Sequence, residues 1–307
     1  MSFTQYAEKG SRKVPEFRVN ENLEDPAKYI PGPELVSAVN VALSLGQPLL
    51  LTGEPGTGKT QLAHHMAHFF GLEKPLVFNA QTTSKAVDLF YTYDALGHFQ
   101  YNQNNPTVLE EAEVENRFIR YQALGEAICS QSRKVVLIDE IDKAPRDLPN
   151  DVLAAIEGMS FFVPELGKTY TAQKELRPIV IITSNSEKNL PDAFLRRVVY
   201  YHIPFPDDTT LLRIVSTKIK GYNDVELAIL IKHFEQIRSN KDLRLKKKPA
   251  TAELIFWAML LHRMEFDPKS LGLFPKLKEP FKEQLLTSYS VLAKTQEDLK
   301  ALRGQLR

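Results

Sequence analysis

Gly53-Glu54-Pro55-Gly56-Thr57-Gly58-Lys59-Thr60 satisfies the pattern G-x-x-x-x-G-K-[ST] at every position. A glycine-rich turn between a strand and a helix aims backbone N–H groups and the positive end of the helix dipole at an anion. The chemistry implied is phosphate binding, with candidate contacts from Gly53 through Gln61. Lys59 would reach the β and γ phosphates of a nucleoside triphosphate, and the Thr60 hydroxyl would ligate Mg²⁺. A second group follows the apolar run Val135-Val-Leu-Ile138, where Asp139 and Glu140 emerge together. Asp139 can hold the Mg²⁺ and Glu140 can polarise an attacking water. A third is Asn185, after Pro178-Ile-Val-Ile-Ile-Thr-Ser184; its amide can bond both a γ-phosphate and that water. The fourth is the pair Arg196-Arg197, permanently charged forks that suit a phosphate. Their place after a short helix favours reaching a neighbouring subunit's site over turning back on their own.

These groups need rigid elements behind them. Pro48–Thr52, Leu76–Asn79, Val135–Ile138, Ile179–Thr183 and Val198–Ile203 read as strands. The first four are aliphatic and unalternated, as expected for parallel strands buried on both faces. Helical patterns intervene at Glu34–Leu45, Gln61–Phe70, Arg117–Ser130 and Leu148–Gly158, which predicts an α/β fold with a central parallel five-stranded sheet. In open sheets of this kind ligands bind beyond the carboxyl ends of the strands, where the loop, the acidic pair and Asn185 lie. Pro204-Phe-Pro-Asp-Asp208 ends the strand pattern and offers a helix cap. Helices are then expected at Thr209–Lys220, Val225–Ser239, Thr251–Met264 and Glu279–Leu302, forming a small all-α domain. The expected divisions are an N-terminal arm (1–28), an α/β nucleotide-binding domain (29–206) and an α-helical domain with a C-terminal helix (207–307). The basic segment Asn240–Lys248 reads as a solvated linker.

Composition narrows the class. The chain has 307 residues, 43% hydrophobic and 25% charged, as in ordinary soluble globular proteins. A net charge of +1 argues against a nucleic-acid or acidic-membrane partner. Cys129 is the only cysteine, so no internal disulfide forms; it lies in an apolar helical pattern that suits packing. No stretch reaches the length of a membrane span and no signal peptide is visible. A cytoplasmic setting is the expectation. His64, His65 and His68 follow the phosphate loop, but no Glu, Cys or Asp completes a metal set with them.

The four groups, in this order, resemble the AAA+ ATPase superfamily, and within it the MoxR-like proteins and their dynein-related kin. The resemblance runs from about Tyr29 to Met264. It implies a P-loop NTPase fold in which Gly53–Thr60 is Walker A, Val135–Glu140 is Walker B and Asn185 is sensor 1. It also implies ATP with Mg²⁺ as the bound species. Arg197 is the implied arginine finger, with Arg196 as the alternative. Tyr29-Ile30-Pro31-Gly32 resembles the segment that covers the adenine, and the all-α domain resembles the family's lid. Two surplus stretches fit the same clade: Asp88–Asn116, expected as a protruding hairpin, and Ser160–Thr171, expected to turn at Leu166-Gly167-Lys168. In family rings such hairpins face the pore and touch the client, whereas packing of Phe161 and Phe162 into a local core is the plainer alternative. One departure stands out. The third lid helix, from Lys248-Pro-Ala-Thr-Ala-Glu-Leu254, has no sensor 2 arginine, and Lys247 or Lys248 would have to substitute.

The resemblance implies an ATP-hydrolysing remodelling or chaperone-type machine. It would act as a ring, with a hexamer expected, on a protein client such as a von Willebrand A domain protein. The rival readings are a nucleotide-gated assembly switch and a motor subunit of a nucleic-acid-processing system.

Overall fold

A computed structural model describes residue 23 and residues 25–105, 109–186 and 190–306. Most of the expected N-terminal arm (1–22 and 24), and 106–108 of the first surplus stretch, lie outside these described residues. Contacts divide the chain into two units: residues 31–53 with 58–203, and residues 1–30, 54–57 and 204–307.

In the first unit, aliphatic runs make the strands β1 (Leu49–Thr52), β2 (Leu76–Asn79), β5 (Val135–Asp139), β8 (Ile179–Thr183) and β9 (Val199–His202). They form one parallel sheet in the order β2-β5-β8-β1-β9. The expected α/β fold is therefore present. Register lines up Leu51 with Thr183 and Ile138 with Ile182, so β5, β8 and β1 end side by side. Leu50, Leu51, Val136, Leu137, Ile138, Ile181 and Ile182 are buried throughout, which accounts for their lack of alternation. β2 departs from that expectation. It is an edge strand, and its residues alternate between half-buried and exposed. Helix α1 (Pro33–Leu45) starts on a proline at its first turn and stops at Gly46, whose φ of 62° makes the left-handed cap. Helix α2 (Lys59–Phe69) follows the glycine loop, and α6 (Leu148–Gly158) packs its apolar face into the same core.

The stretch expected as a single helix over 117–130 is instead broken. Helix α3 (Ala95–Asn104) and helix α4 (Glu111–Phe118) are followed by strand β4 (Ile119–Tyr121) and helix α5 (Ala123–Cys129). β4 pairs antiparallel with β3 (Tyr91–Tyr93), because β-branched and aromatic residues gain more from cross-strand pairing than from extending α4. The first surplus stretch is thus a two-stranded ribbon carrying two helices, not a simple hairpin. Helix α5 lies so close to the ribbon that a Cβ at Gly125 would fall 1.9 Å from the Phe90 carbonyl oxygen. Cys129 packs on this core, and burial pushes its thiol up to about 11.

The second surplus stretch is a hairpin of β6 (Ser160–Val163) and β7 (Lys168–Thr171), with Gly167 left-handed at φ 61°. Phe161 and Phe162 divide the two expectations between them. Phe161 is buried, with ring centroids 5.0 Å from Phe90 and 5.3 Å from Tyr170, whereas Phe162 is 55% exposed. This stack binds the hairpin to the ribbon, and Tyr91 adds a hydroxyl bond to Glu165 at 2.9 Å.

The short helix α7 (Asp192–Leu195) precedes β9. The second unit is helical: α8 (Asp208–Lys218), α9 (Asp224–Ser239), α10 (Thr251–Arg263), α11 (Phe281–Leu292) and α12 (Gln296–Gly304). Asp207 caps α8 through Thr210 N, and Asn223 with Glu226 forms a capping box on α9. The helix expected over 279–302 is two, because Thr295 caps a new start after Leu292. Leu285, Tyr289, Leu292, Leu302 and Leu306 nevertheless share one buried cluster, with Leu299 packed against it. The basic segment is no free linker. The carboxylate of Asp298, itself buried, accepts the backbone N–H groups of Lys246 at 2.8 Å and Lys247 at 3.3 Å.

Candidate functional site

The loop after β1 takes its shape from its glycines. Gly53, Gly56 and Gly58 have φ of 146°, 79° and 91°, values that strain any residue with a Cβ. Pro55 and Gly56 are exposed, and the Thr57 hydroxyl closes the turn on Glu54 O at 2.8 Å. Gly58 precedes α2, so Lys59, Thr60 and Gln61 form its first turn, where backbone donors lack helical partners. Ile30 and Pro31 are half-buried in the extended segment before α1.

Lys59 Nζ, 7% exposed as a residue, donates to Gly53 O at 2.8 Å and to Asn185 Oδ1 at 3.0 Å. Burial lowers the Lys59 ammonium below its ordinary range, opposed by the carboxylates of Asp139, Asp142 and Glu140. The Asn185 amide then donates from Nδ2 to Glu140 Oε1 at 3.3 Å. One amide therefore links the loop lysine to the carboxylate that ends the β5 turn. At the end of β5, Thr60 Oγ1 lies 3.3 and 3.2 Å from the two oxygens of Asp139. Lys59, Thr60, Asp139, Glu140 and Asn185, drawn from two strand ends and one helix, are thereby brought together.

Several members of this network carry no motif in the sequence. Thr183, fully buried at the end of β8, donates its hydroxyl to Asp139 Oδ1 and accepts the Glu140 N–H at 2.9 Å. Asp142 accepts the Asn185 N–H at 3.1 Å. Lys143 donates to Glu140 Oε2. That contact holds the Glu140 carboxyl below the usual carboxylate range, helped by the Asn185 amide and the Lys59 charge and opposed by burial. Glu140 itself is left-handed at φ 54°, an uncommon backbone for a non-glycine residue. Only the strand order, with β8 between β5 and β1, makes Thr183 a neighbour of both carboxylates.

Arg196 and Arg197 are exposed after α7, and Arg197 Nε pairs with Glu157 at 3.3 Å. Neither joins the Lys59–Asn185–Glu140 chain of bonds. Lys247 and Lys248 are exposed as well. In the helical unit the buried arginine is Arg238, which pairs with Glu54 at 3.0 Å.

The donor set suits a triphosphate with a small hard cation. Thr60 Oγ1 and Asp139 offer oxygen ligands, and Mg²⁺ takes one or two carboxylates while leaving room for phosphate oxygens and water. Among the described residues no cluster of three or more His, Cys, Asp or Glu is placed to hold a metal. Among them, too, no helix is long and apolar enough to cross a membrane.

Comparison with known proteins points the same way. Residues 48–198 match the family model described as the AAA domain of the dynein-related subfamily. Midasin of Dictyostelium discoideum is 25% identical over 140 residues, 45% of this chain but 2% of midasin, so the chain spans a small fraction of that relative. Among solved structures, the RuvB Holliday junction branch migration motor of Thermotoga maritima aligns at 16% identity with a TM-score of 0.42, over 84% of this chain and 76% of that one. A single-residue variant of the same protein gives 15% identity and a TM-score of 0.45, over 85% and 76%.

Proposed function

We propose that this chain, whose residues 48–198 match the AAA domain of the dynein-related subfamily, is an AAA+ ATPase that hydrolyses ATP in a MoxR-like, ring-forming remodelling role. The observation that carries the reading is the Asn185 amide, bonded to Lys59 on one side and Glu140 on the other. A phosphate-binding cation and a water-activating carboxylate are thus addressed by one group, as hydrolysis needs and simple nucleotide storage does not.

In this reading the amides of Gly53–Gln61 and Lys59 hold the phosphates, and Ile30 and Pro31 cover the base. Thr60 and Asp139 hold Mg²⁺, which supplies charge neutralisation on the phosphate oxygens. Glu140 takes a proton from the attacking water while Asn185 orients it. Arg197, or in its place Arg196, stabilises the developing charge from a neighbouring copy. AAA+ proteins generally work as rings, and a hexamer acting on a protein client, with a von Willebrand A domain as one candidate, is part of this proposal. So are a cytoplasmic setting, the division at 29–206 and 207–307, and contact of the 88–116 and 160–171 excursions with the client. Mg²⁺-dependent release of phosphate from ATP, with mass measurement of the assembly with and without nucleotide, tests it. Absence of turnover in an assembled ring overturns the hydrolytic part.

A nucleotide-gated switch is the second reading. The bond from Lys143 to Glu140 favours it, since a carboxylate engaged by an ammonium is a weaker base.

A further inference from the structure

A cavity of about 180 Å³ opens at the amino ends of β1 and β8, away from the carboxyl ends where Lys59, Asp139 and Asn185 meet. At about 3.3 Å per residue, the length of these strands puts on the order of 15 Å between the two places. Every residue that lines the cavity belongs to the α/β unit. Its walls are apolar, with Val39 and Ala42 of α1, Met66 of α2, Met159 after α6 and Ile181 of β8. Met66 and Met159 are 4% and 3% exposed. Methionine is the side chain that most readily reshapes itself around an apolar guest. Met159 also stands left-handed at φ 43°, an uncommon backbone for a non-glycine residue and one that gathers at ligand clamps.

The exposed edge of the cavity is cationic. Arg133, Lys174 and Arg177 all line it. Arg133 Nη2 donates to Glu175 O at 2.6 Å, and Arg177 Nη2 donates to Glu157 O at 2.9 Å. Each guanidinium is steadied through one nitrogen and keeps donors for a further acceptor. Among the described residues no carboxylate lines the cavity, and the Glu157 carboxylate pairs with Arg197 instead. Three like charges around one apolar space repel each other and focus positive potential into it, and a bound anion relieves both.

We propose that this cavity binds a carboxylate carrying one compact apolar group. The apolar group lies among Met66, Met159 and Ile181, and the carboxylate meets Arg133, Lys174 and Arg177. Size and charge choose the class. An apolar cavity of roughly 150 Å³ takes a benzene ring. The space here is well short of the roughly 300–1,000 Å³ that larger ligands occupy. Guanidinium forks suit a carboxylate, which they can grip with two parallel bonds. A small free acid and the C-terminal residue of a partner chain share this chemistry. The inference stands apart from the nucleotide reading, since none of Lys59, Thr60, Asp139, Glu140 and Asn185 lines the cavity.

Methyl NMR of the methionines in the full chain tests it, because Met66 and Met159 line the cavity while Met259 and Met264 lie in the helical unit. 3-Phenylpropionate and N-acetylphenylalanine are expected to move the Met66 and Met159 signals saturably, in the millimolar range or tighter, and to leave Met259 and Met264 in place. Their carboxamides are expected to bind at least about tenfold more weakly, and inorganic phosphate to leave all four signals unmoved. The double variant Arg133→Gln, Lys174→Gln should weaken the acids at least about tenfold and erase their lead over the amides. No movement with either acid at about 10 mM, amides as tight as acids, or a double variant that binds as the parent does overturns the proposal. So does phosphate that moves the signals as effectively as the acids, which marks a plain anion site. Should the double variant fail to fold, Val39→Phe fills the cavity from α1 and is expected to abolish binding; undiminished binding overturns the proposal. A peptide ending in phenylalanine identifies the source. Binding at least about tenfold tighter than 3-phenylpropionate, lost on C-terminal amidation, assigns a chain end, and weaker binding assigns a small free acid.

Discussion

The amide of Asn185 donates to the Glu140 carboxylate across 3.3 Å while its oxygen accepts from Lys59. This fixes which end of the amide faces which charge, and in the proposed mechanism Glu140 is the group on which turnover depends. Glu140→Gln keeps a hydrogen-bonding side chain of the same size and removes the base. Turnover of ATP is expected to fall at least about a hundredfold, with affinity for ATP within about threefold of the parent. Steady-state phosphate release together with equilibrium binding checks both, and full turnover would remove Glu140 from the mechanism.

Thr183 holds both acidic residues at once, through Asp139 Oδ1 and the Glu140 N–H. Thr183→Val preserves shape and deletes both bonds. Turnover is expected to drop roughly ten- to a hundredfold, as for other groups that orient metal ligands. A loss of about 1–3 kcal/mol in stability should accompany it, from polar groups left unpaired in the core. Denaturant melts and Mg²⁺ titrations of turnover measure the two effects separately.

Arg197 is exposed and tied to Glu157, and in the proposed ring it serves a neighbouring copy's site. A mixture of Arg197→Ala and Lys59→Ala chains, each expected to be inactive alone, should regain a measurable fraction of parental turnover. Some sites in mixed rings then combine an intact loop with an intact arginine. No recovery, with Arg196→Ala recovering instead, would move the role to Arg196.

His233 supplies a pH signature in the helical core. It lies 3.0 Å from the Tyr289 hydroxyl and is ringed by Trp257, Phe274 and Tyr289. Burial lowers it to about 4 from an ordinary 6.5. Above 6.5 the ring is neutral folded or unfolded, so its contribution to stability is fully present. As pH falls from 6.5 towards 4 the unfolded chain takes the proton first, and stability declines by about 2 kcal/mol by pH 5. Thermal melts between pH 7 and 5 should show the decline, and His233→Phe should flatten it in that window.

The parts legible in the sequence are those written in contiguous residues. Gly53–Thr60 and Val135–Glu140 each contain a strand and the polar groups it delivers, so local pattern sufficed. Thr183, Asp142 and Lys143 escaped, because each acquires its contacts from a neighbour brought close by strand order. The stretch at 117–130 escaped for a different reason. Ile119-Arg120-Tyr121 suits a helix face as well as a strand, and only the partner Tyr91–Tyr93 decides between them. At the C-terminus, Thr295 looked like an interior residue until its hydroxyl capped α12.

The sheet order has a consequence for biosynthesis. β1 carries the phosphate loop, yet both of its neighbours, β8 and β9, come at the far end of the unit. At ribosomal speeds the interval between Thr52 and His202 is on the order of ten seconds. Throughout it, Leu49–Leu51 is an apolar strand with no edge to join, and contacts of such long sequence separation form slowly. A nascent chain stalled before Ile179 holds a complete phosphate-loop sequence with nothing to anchor it. In the proposed reading, nucleotide capture is then expected only of chains that have finished the sheet, while unfinished ones expose the apolar Leu49–Leu51 segment.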